Sequence, residues 1–149
     1  MADHVRKQIR DAAKTLLTGL STTADRVEVG RTWPLPQDHQ PTLLIYTRDE
    51  TIRGDTTGAA PKVFRTLQLY VDAHVVASTP PDDTLDQIAK EVEAAFGPNQ
   101  TFGGLVIGVA PTAIRQETKA EGQRHHGFCR IEFTIEYRTA EGTPDVATP

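Results

Sequence analysis

Two adjacent histidines and the single cysteine are the residues whose types and spacing could do chemistry. His125 and His126 lie four and three residues before Cys129 in the stretch RHHGFCRIEFTIEYR. Imidazole and thiolate groups bind zinc, and a cysteine activated by a histidine is a common nucleophile. A zinc site needs three or four such ligands, however, and the remaining histidines are scattered along the chain. The stretch is therefore a weak metal or catalytic motif.

The residues that follow the histidines alternate between apolar and polar side chains. This period of two is typical of a half-buried strand. The apolar row is Cys129, Ile131, Phe133, Ile135 and Tyr137. Cys129 therefore belongs to the buried face, where a thiol acts as a small apolar side chain. We expect no catalytic residue, no metal site and no cofactor site in this chain.

The composition bounds the class of protein. A length of 149 residues fits one domain, 1–149, with enough chain to bury a core. A net charge of −4 lacks the basic excess of a nucleic-acid-binding protein, so we expect no specific nucleic-acid binding. One cysteine excludes an internal disulfide. Charges interrupt the first twenty residues, so we expect neither a signal peptide nor a membrane span, and folding in a cytoplasm.

Two segments have the apolar periodicity of amphipathic helices. The first lies near the N-terminus and ends at about Gly19, and the second follows the prolines of STPPDD and ends at Gly97. Their apolar stripes are Val5, Ile9, Ala12, Ala13, Leu16, Leu17 and Leu20 in the first helix, and Leu85, Ile88, Ala89, Val92 and Phe96 in the second. Each stripe occupies one side of its helix, so we expect both helices to dock on a sheet.

Five segments have the pattern of strands. They are residues 26–31, 42–48, 63–75 and 105–117, and the strand that carries Cys129. In the third strand, Arg65 interrupts an otherwise apolar row. The order of elements predicts an α+β fold, with one antiparallel or mixed β-sheet of about five strands and two helices packed on one face.

Three segments lack apolar periodicity. Residues 49–62, DETIRGDTTGAAPK, are predicted to form a long mobile hairpin loop that orders only against a partner. The polar residues 140–149 are predicted to be a frayed tail. Trp33 lies in the proline-rich connection TWPLPQDHQP, where it is either a lid on the core or an exposed anchor for a partner.

The sheet face opposite the helices carries charges of both signs. Arg130, Glu132, Glu136 and Arg138 occupy the polar row of the last predicted strand. A face of this kind is often only solvated, but in a subunit contact alternating charges set the register between neighbours. Composition does not choose between the two.

The layout of the whole chain is similar to that of a known family. It is carried by the segments VRKQIRDAAKTLLTGL, WPLP…PTLLIY, RTLQLYVDAHV, DDTLDQIAKEVEAAF and GFCRIEFTIEYRT. Together these segments resemble the tail terminator proteins of tailed bacteriophages, the minor tail protein U or tail-completion type. The resemblance covers residues 5–139 and is one of layout, because that family has no catalytic signature. The polar segments 49–62 and 140–149 depart from the family pattern.

The resemblance implies a structural role. Members of the family are small α+β subunits that assemble as a ring, usually six-fold, on the last ring of the tail tube. The ring stops tube polymerisation and gives the head-tail connector a surface on which to dock. The implied partners are other copies of the chain, the tail tube protein and the connector. DNA can pass through the lumen, and no enzyme activity, cofactor or membrane is involved. The implied location is the virion tail, after synthesis in the bacterial host cytoplasm.

We expect the loop 49–62 and the charged sheet face to make the contacts between subunits and with partners. The residues expected at these contacts are Thr51, Arg53, Asp55, Arg130, Glu132, Glu136 and Arg138. The alternative is a small soluble ligand-binding or enzymatic α+β domain of a bacterium. That alternative requires a concave apolar pocket with converging polar groups, which the sequence does not identify.

Overall fold

The computed structural model describes residues 3–30 and 41–149, without the side chain of Glu121. Trp33, whose role was left open, lies outside these residues. The helices are α1 Val5–Leu17 and α2 Asp82–Phe96, the latter followed by a short 3-10 turn, Gly97–Asn99. The strands are β1 Val27–Val29, β2 Thr42–Gly54, β3 Lys62–Ala77, β4 Gly108–Glu121, β5 Arg124–Ala140 and β6 Thr143–Thr148.

The strands form one mixed sheet. Its order is β1-β2-β3-β5-β4, and β6 pairs with the C-terminal end of β5. The strand β1 runs parallel to β2, whereas the other neighbouring strands are antiparallel. Both helices pack on the same side of this sheet, which we call the inner face. The predicted α+β fold is confirmed.

The core lies between the inner face and the helices. The apolar rows of β3 and β5 face inward side by side, because β3 pairs with β5 from Lys62↔Ala140 to Ala77↔His125. The helix residues that pack on these rows are Val5, Ile9, Ala13 and Leu17 of α1 and Leu85, Ile88, Ala89, Val92 and Phe96 of α2. Cys129 is fully buried in this core, as predicted. Burial raises the pKa of its thiol, so the group stays protonated and packs as an apolar side chain.

Local features explain how the helices begin and how closely α2 approaches the sheet. His4 caps α1, since its Nδ1 atom accepts a hydrogen bond of 3.0 Å from the Arg6 amide. The start of α2 lies against Gly127, where an added Cβ would stand 2.6 Å from Pro81 Cγ. Any larger residue at position 127 would push α2 away from β5.

The predicted loop 49–62 is wrong in its extent. The strand β2 continues to Gly54 and stays paired with β3 through Arg53↔Phe64 and Gly54↔Val63, and β3 already begins at Lys62. Only residues 55–61 connect the two strands. Residues 51–60 are exposed, so no alternation of apolar side chains marks the end of β2. The backbone pairing that extends the hairpin is therefore invisible in a hydrophobic pattern. The mobility of this segment stays a prediction.

The predicted frayed tail, 140–149, is also wrong, since most of it forms β6. This strand pairs with β5 at Arg138↔Thr148 and Thr139↔Ala147. A contact with α1 adds to the pairing, because the Gln8 side chain donates a hydrogen bond of 2.9 Å to the Asp145 carbonyl. Backbone hydrogen bonds and this contact hold a segment that has few apolar side chains.

We predict that Phe96→Ala lowers the free energy of unfolding by about 3–5 kcal/mol. Phe96 is 3% exposed, and its ring centroid lies 4.4 Å from that of Phe133. Truncation leaves a cavity between α2 and β5 that the surrounding core cannot fill. Urea unfolding measures the change, with Ile107→Ala as the control, because Ile107 is 42% exposed. A loss below about 1 kcal/mol for Phe96→Ala would contradict the predicted role of this residue.

Candidate functional site

The outer face, opposite the helices, holds a cluster around Arg130 and Asp72. The Arg130 guanidinium contacts the Asp72 carboxylate twice, at 3.0 Å from Nε to Oδ1 and at 3.2 Å from Nη2 to Oδ2. Asp72 is only 4% exposed. The hydrogen bond to Asp72 is the main cause of a raised Arg130 pKa, so this guanidinium stays charged. Arg130 is thus held by a carboxylate of the same chain.

Aromatic side chains complete this cluster. The Tyr46 hydroxyl donates a hydrogen bond of 2.9 Å to Asp72 Oδ2. Burial, and secondly this hydrogen bond, raise the pKa of Tyr46 to about 12. The guanidinium of Arg130 lies 5.8 Å from the Tyr46 ring centroid, 5.5 Å from that of Tyr70 and 5.2 Å from that of Phe128. These cation-π contacts and the ion pair fix β2, β3 and β5 relative to one another.

A second group of predicted contact residues meets at the end of the β2-β3 hairpin. Arg138 Nε donates a hydrogen bond of 2.6 Å to Asp55 Oδ2. The guanidinium groups of Arg53 and Arg138 lie 4.4 Å and 5.6 Å from the Phe64 ring centroid. Thr51 is exposed and lies two residue pairs before Arg53 in the pairing of β2 with β3. Arg53, Asp55 and Arg138 are therefore brought together, and they tie the hairpin to the end of β5.

Glu132 and Glu136 differ from the two arginines of the same row. The residues opposite them on β3 are Tyr70 and Thr66, neither of which is a cation. Within residues 3–30 and 41–149, leaving aside the Glu121 side chain, neither glutamate forms an ion pair. Glu136 is exposed and Glu132 is half-buried. These two carboxylates are the predicted contact charges that are available to another molecule.

Sequence reasoning missed a buried polar cluster on the inner face. Arg65 Nη1 lies 2.8 Å from Glu50 Oε1, and the Tyr137 hydroxyl donates to the same oxygen at 2.7 Å. The Glu50 and Arg65 side chains are only 4% and 10% exposed. Arg65 also donates from Nε to Thr139 Oγ1 at 3.0 Å. The one signal of this cluster in the sequence was Arg65 itself, placed in an apolar row.

A bulge in β2 places Glu50 in that cluster. The register with β3 advances from Thr47↔Leu69 to Glu50↔Leu67, so β2 has one extra residue there. The extra residue turns the Glu50 side chain inward, where Arg6 of α1 approaches its second oxygen at 3.6 Å. The cluster joins the start of α1 to β2, to the first residues of β3 and to the C-terminal end of β5.

The histidines of the opening motif do not meet Cys129. They pair with Ala77 and Val76 of β3, and being adjacent on β5 they point to opposite faces. Among the described residues, no group of three or more His, Cys, Asp or Glu side chains could hold a metal ion. Neither α1 nor α2 has the length and apolar character needed to cross a bilayer. A recess of about 230 Å³ is lined by Val76, Ala77, Ser78 and Arg124, a set with few converging polar groups.

Comparisons with known proteins give no family assignment. No model of a known protein family matches the chain, and no curated protein matches it. Among solved structures, it is similar to a chain from the virion of a native gene transfer agent particle, with 10% sequence identity and a TM-score of 0.36. The similarity covers 89% of this chain and 92% of that chain.

We predict that Tyr46→Phe removes one ionisation with a pKa of about 12. The ordinary pKa of tyrosine in an unfolded chain is about 10. Because the folded pKa is raised, the contribution of Tyr46 to stability is complete below pH ~10 and is lost as the pH rises towards ~12. Absorbance titration of tyrosinate follows the ionisation. Removal of an ionisation near pH 10 would show instead that Tyr46 is solvated.

We predict that Glu50→Gln lowers the free energy of unfolding by about 3–5 kcal/mol, because the change leaves Arg65 as a buried, uncompensated charge. Chemical denaturation at neutral pH measures the loss. Glu132→Gln is the matched control, with an expected change within about 0.5 kcal/mol. Combining Glu50→Gln with Arg65→Met should cost less than the sum of the single changes, since the two groups form one pair. Additive losses would contradict the pairing.

Proposed function

We propose that this chain is a structural protein of a phage-like virion, and that it terminates the tail. In this role it assembles as a ring on the end of the tail tube, stops tube polymerisation and presents the surface on which the head-tail connector docks. The order of its helices and strands supports the proposal, since it follows the layout that resembles the tail terminator family.

The observation that carries the proposal is the division of charge on the outer face. Arg130 and Arg138 are bound to carboxylates of their own subunit, at Asp72 and Asp55. Glu132 and Glu136 lie between them on β5 without an ion-pair partner in the described part of the chain. On this row the two cations are already paired and the two anions are not. Such a row suits a head-to-tail contact, in which a different surface of the neighbouring subunit supplies the cations.

The end of the β2-β3 hairpin supplies the second surface. Residues 51–60 are exposed and carry few apolar side chains. The Arg138–Asp55 contact and the packing of Arg138 on the Phe64 ring hold this hairpin in a fixed orientation relative to β5, at the edge of the outer face. Docking on the tube or on the connector through a hairpin held in this way loses less conformational entropy than docking through a free loop.

We predict that the double change Glu132→Lys/Glu136→Lys prevents ring closure and leaves folding intact. Both side chains lie on the solvent side of β5, so the free energy of unfolding should change by less than about 1 kcal/mol. Negative-stain microscopy of tail tubes would show a ring at the tube end with the unmodified protein and none with the variant. The matched control is Asp25→Lys/Glu93→Lys, which makes the same change of charge at two exposed positions away from the outer face.

The biological assay is tail assembly in a host that carries the particle genes without this one. We expect tails of uncontrolled length that do not join heads, with rescue by the unmodified gene and by the Asp25→Lys/Glu93→Lys control only. Tails of normal length joined to heads in the absence of the gene would refute the proposal.

A further inference from the structure

The outer edge of β4 is an open strand edge. Residues 110–120 are all exposed, and β5 is the strand that pairs with β4 among the described residues. From Ala113↔Glu132 to Ala120↔His125 this pairing is continuous, without a bulge or a proline. A straight edge of this length leaves a row of backbone amide and carbonyl groups that can pair with another strand.

Two charged residues of this edge, Arg115 and Glu117, have no opposite charge directly across from them on β5. Arg115 lies directly opposite Arg130, whose guanidinium is already held by Asp72. Glu117 lies opposite Phe128. Like charges in directly opposed positions destabilise a strand pair, so the residue directly across from Arg115 on β5 is an unfavourable neighbour. A carboxylate on the open side of β4 would supply one.

We propose that two copies of this chain pair through β4, antiparallel and around a two-fold axis at Gln116. In this register Arg115 of each copy faces Glu117 of the partner subunit, which gives two opposite-charge pairs on the outer face. On the inner face Ile114, which is 45% exposed, faces Thr118 of the partner subunit. The two sheets become one continuous sheet, and the open edge of each copy is covered by the other.

Two registers bring opposite charges together on this edge, one with its axis at Gln116 and one with its axis at Thr118, and the second would place Glu117 opposite Lys119 of the partner subunit. Lys119 already takes part in an interaction within its own chain. We therefore propose the axis at Gln116, which uses Arg115 and Glu117. An axis at Glu117 would place the two Glu117 carboxylates opposite each other and Arg115 opposite Lys119 of the partner subunit. Both contacts would be repulsive. A strand slip by a single residue is also excluded, because it would exchange the inner and outer faces. Arg115 and Glu117, two residues apart on one face, make the edge complementary to itself.

The pair has a consequence for the free protein. A two-fold contact uses the same surface on both copies, so it closes on itself and gives a dimer, not a filament. It covers a strand edge that would otherwise recruit other chains before assembly. The inference stands apart from the tail-terminating function, since it rests on β4 and not on Glu132, Glu136 or the β2-β3 hairpin.

Sedimentation velocity over a dilution series tests the charge pairs. We expect the unmodified protein to be a dimer at high concentration, and Arg115→Glu or Glu117→Arg to raise the dissociation constant by about tenfold or more. The double swap Arg115→Glu/Glu117→Arg should restore the constant to within about threefold, because it exchanges the partners of both pairs. Lys90→Glu, on the exposed side of α2, is the control and should have no effect.

Two outcomes would overturn the inference. One is a protein that stays monomeric up to its solubility limit. The other is an oligomer whose dissociation constant does not respond to Arg115→Glu or Glu117→Arg. A mixture of the two single variants adds a positive test, because a copy with two acidic residues should pair with a copy with two basic ones more tightly than either pairs with itself.

Disulfide trapping tests the register. Gln116 would face Gln116 of the partner subunit, and directly opposed residues of antiparallel strands have Cα atoms about 4.5–5.5 Å apart, which suits a disulfide. The change Gln116→Cys is made together with Cys129→Ala, because Gln116 Nε2 lies 4.0 Å from Cys129 Sγ. Mild oxidation should give a covalent dimer with Gln116→Cys and much less with Thr118→Cys. Crosslinking through Thr118→Cys in preference would overturn the register.

Discussion

The antiparallel pairing of β3 with β5 is the constraint on which the rest of the structure depends. It runs from Lys62↔Ala140 to Ala77↔His125 and sets two alternating strands in register. With that register, both apolar rows fall on one face and both polar rows on the other, because a slip of one residue would invert a whole strand. The apolar face is wide enough to seat α1 and α2, and β2 and β4 then extend the sheet on either side.

Two charged pairs fix the positions of elements around this centre. Glu50 and Arg65 pair on the inner face, and Asp72 and Arg130 pair on the outer face. Burying such a pair offers little net stability, since the loss of hydration opposes the attraction of the charges. The two pairs instead make displaced arrangements costly, because a shift in register would leave a buried charge without its partner. The β-bulge before Glu50 is one part of this arrangement.

The surfaces left over by these packing requirements are the ones suited to assembly. The inner face is occupied by helices, whereas the outer face keeps two carboxylates without ion-pair partners in the described chain. The β2-β3 hairpin projects exposed polar residues, and β4 keeps an open edge with alternating charge. Each of these surfaces presents backbone groups or mixed charges and, within the described residues, no concave apolar pocket, which suits contact with a protein better than the capture of a small molecule.

The sequence by itself determined the elements whose signal lies in local periodicity: the two amphipathic helices, the alternating strands, the burial of Cys129 and the α+β class. These depend on side chains only a few residues apart. The tertiary structure alone decided that the polar residues 49–54 and 143–148 are strands, since backbone pairing leaves no apolar pattern. It also decided that Arg65 is matched by Glu50 and that Arg138 meets Asp55, 83 residues away, because such contacts follow from strand register and a single bulge.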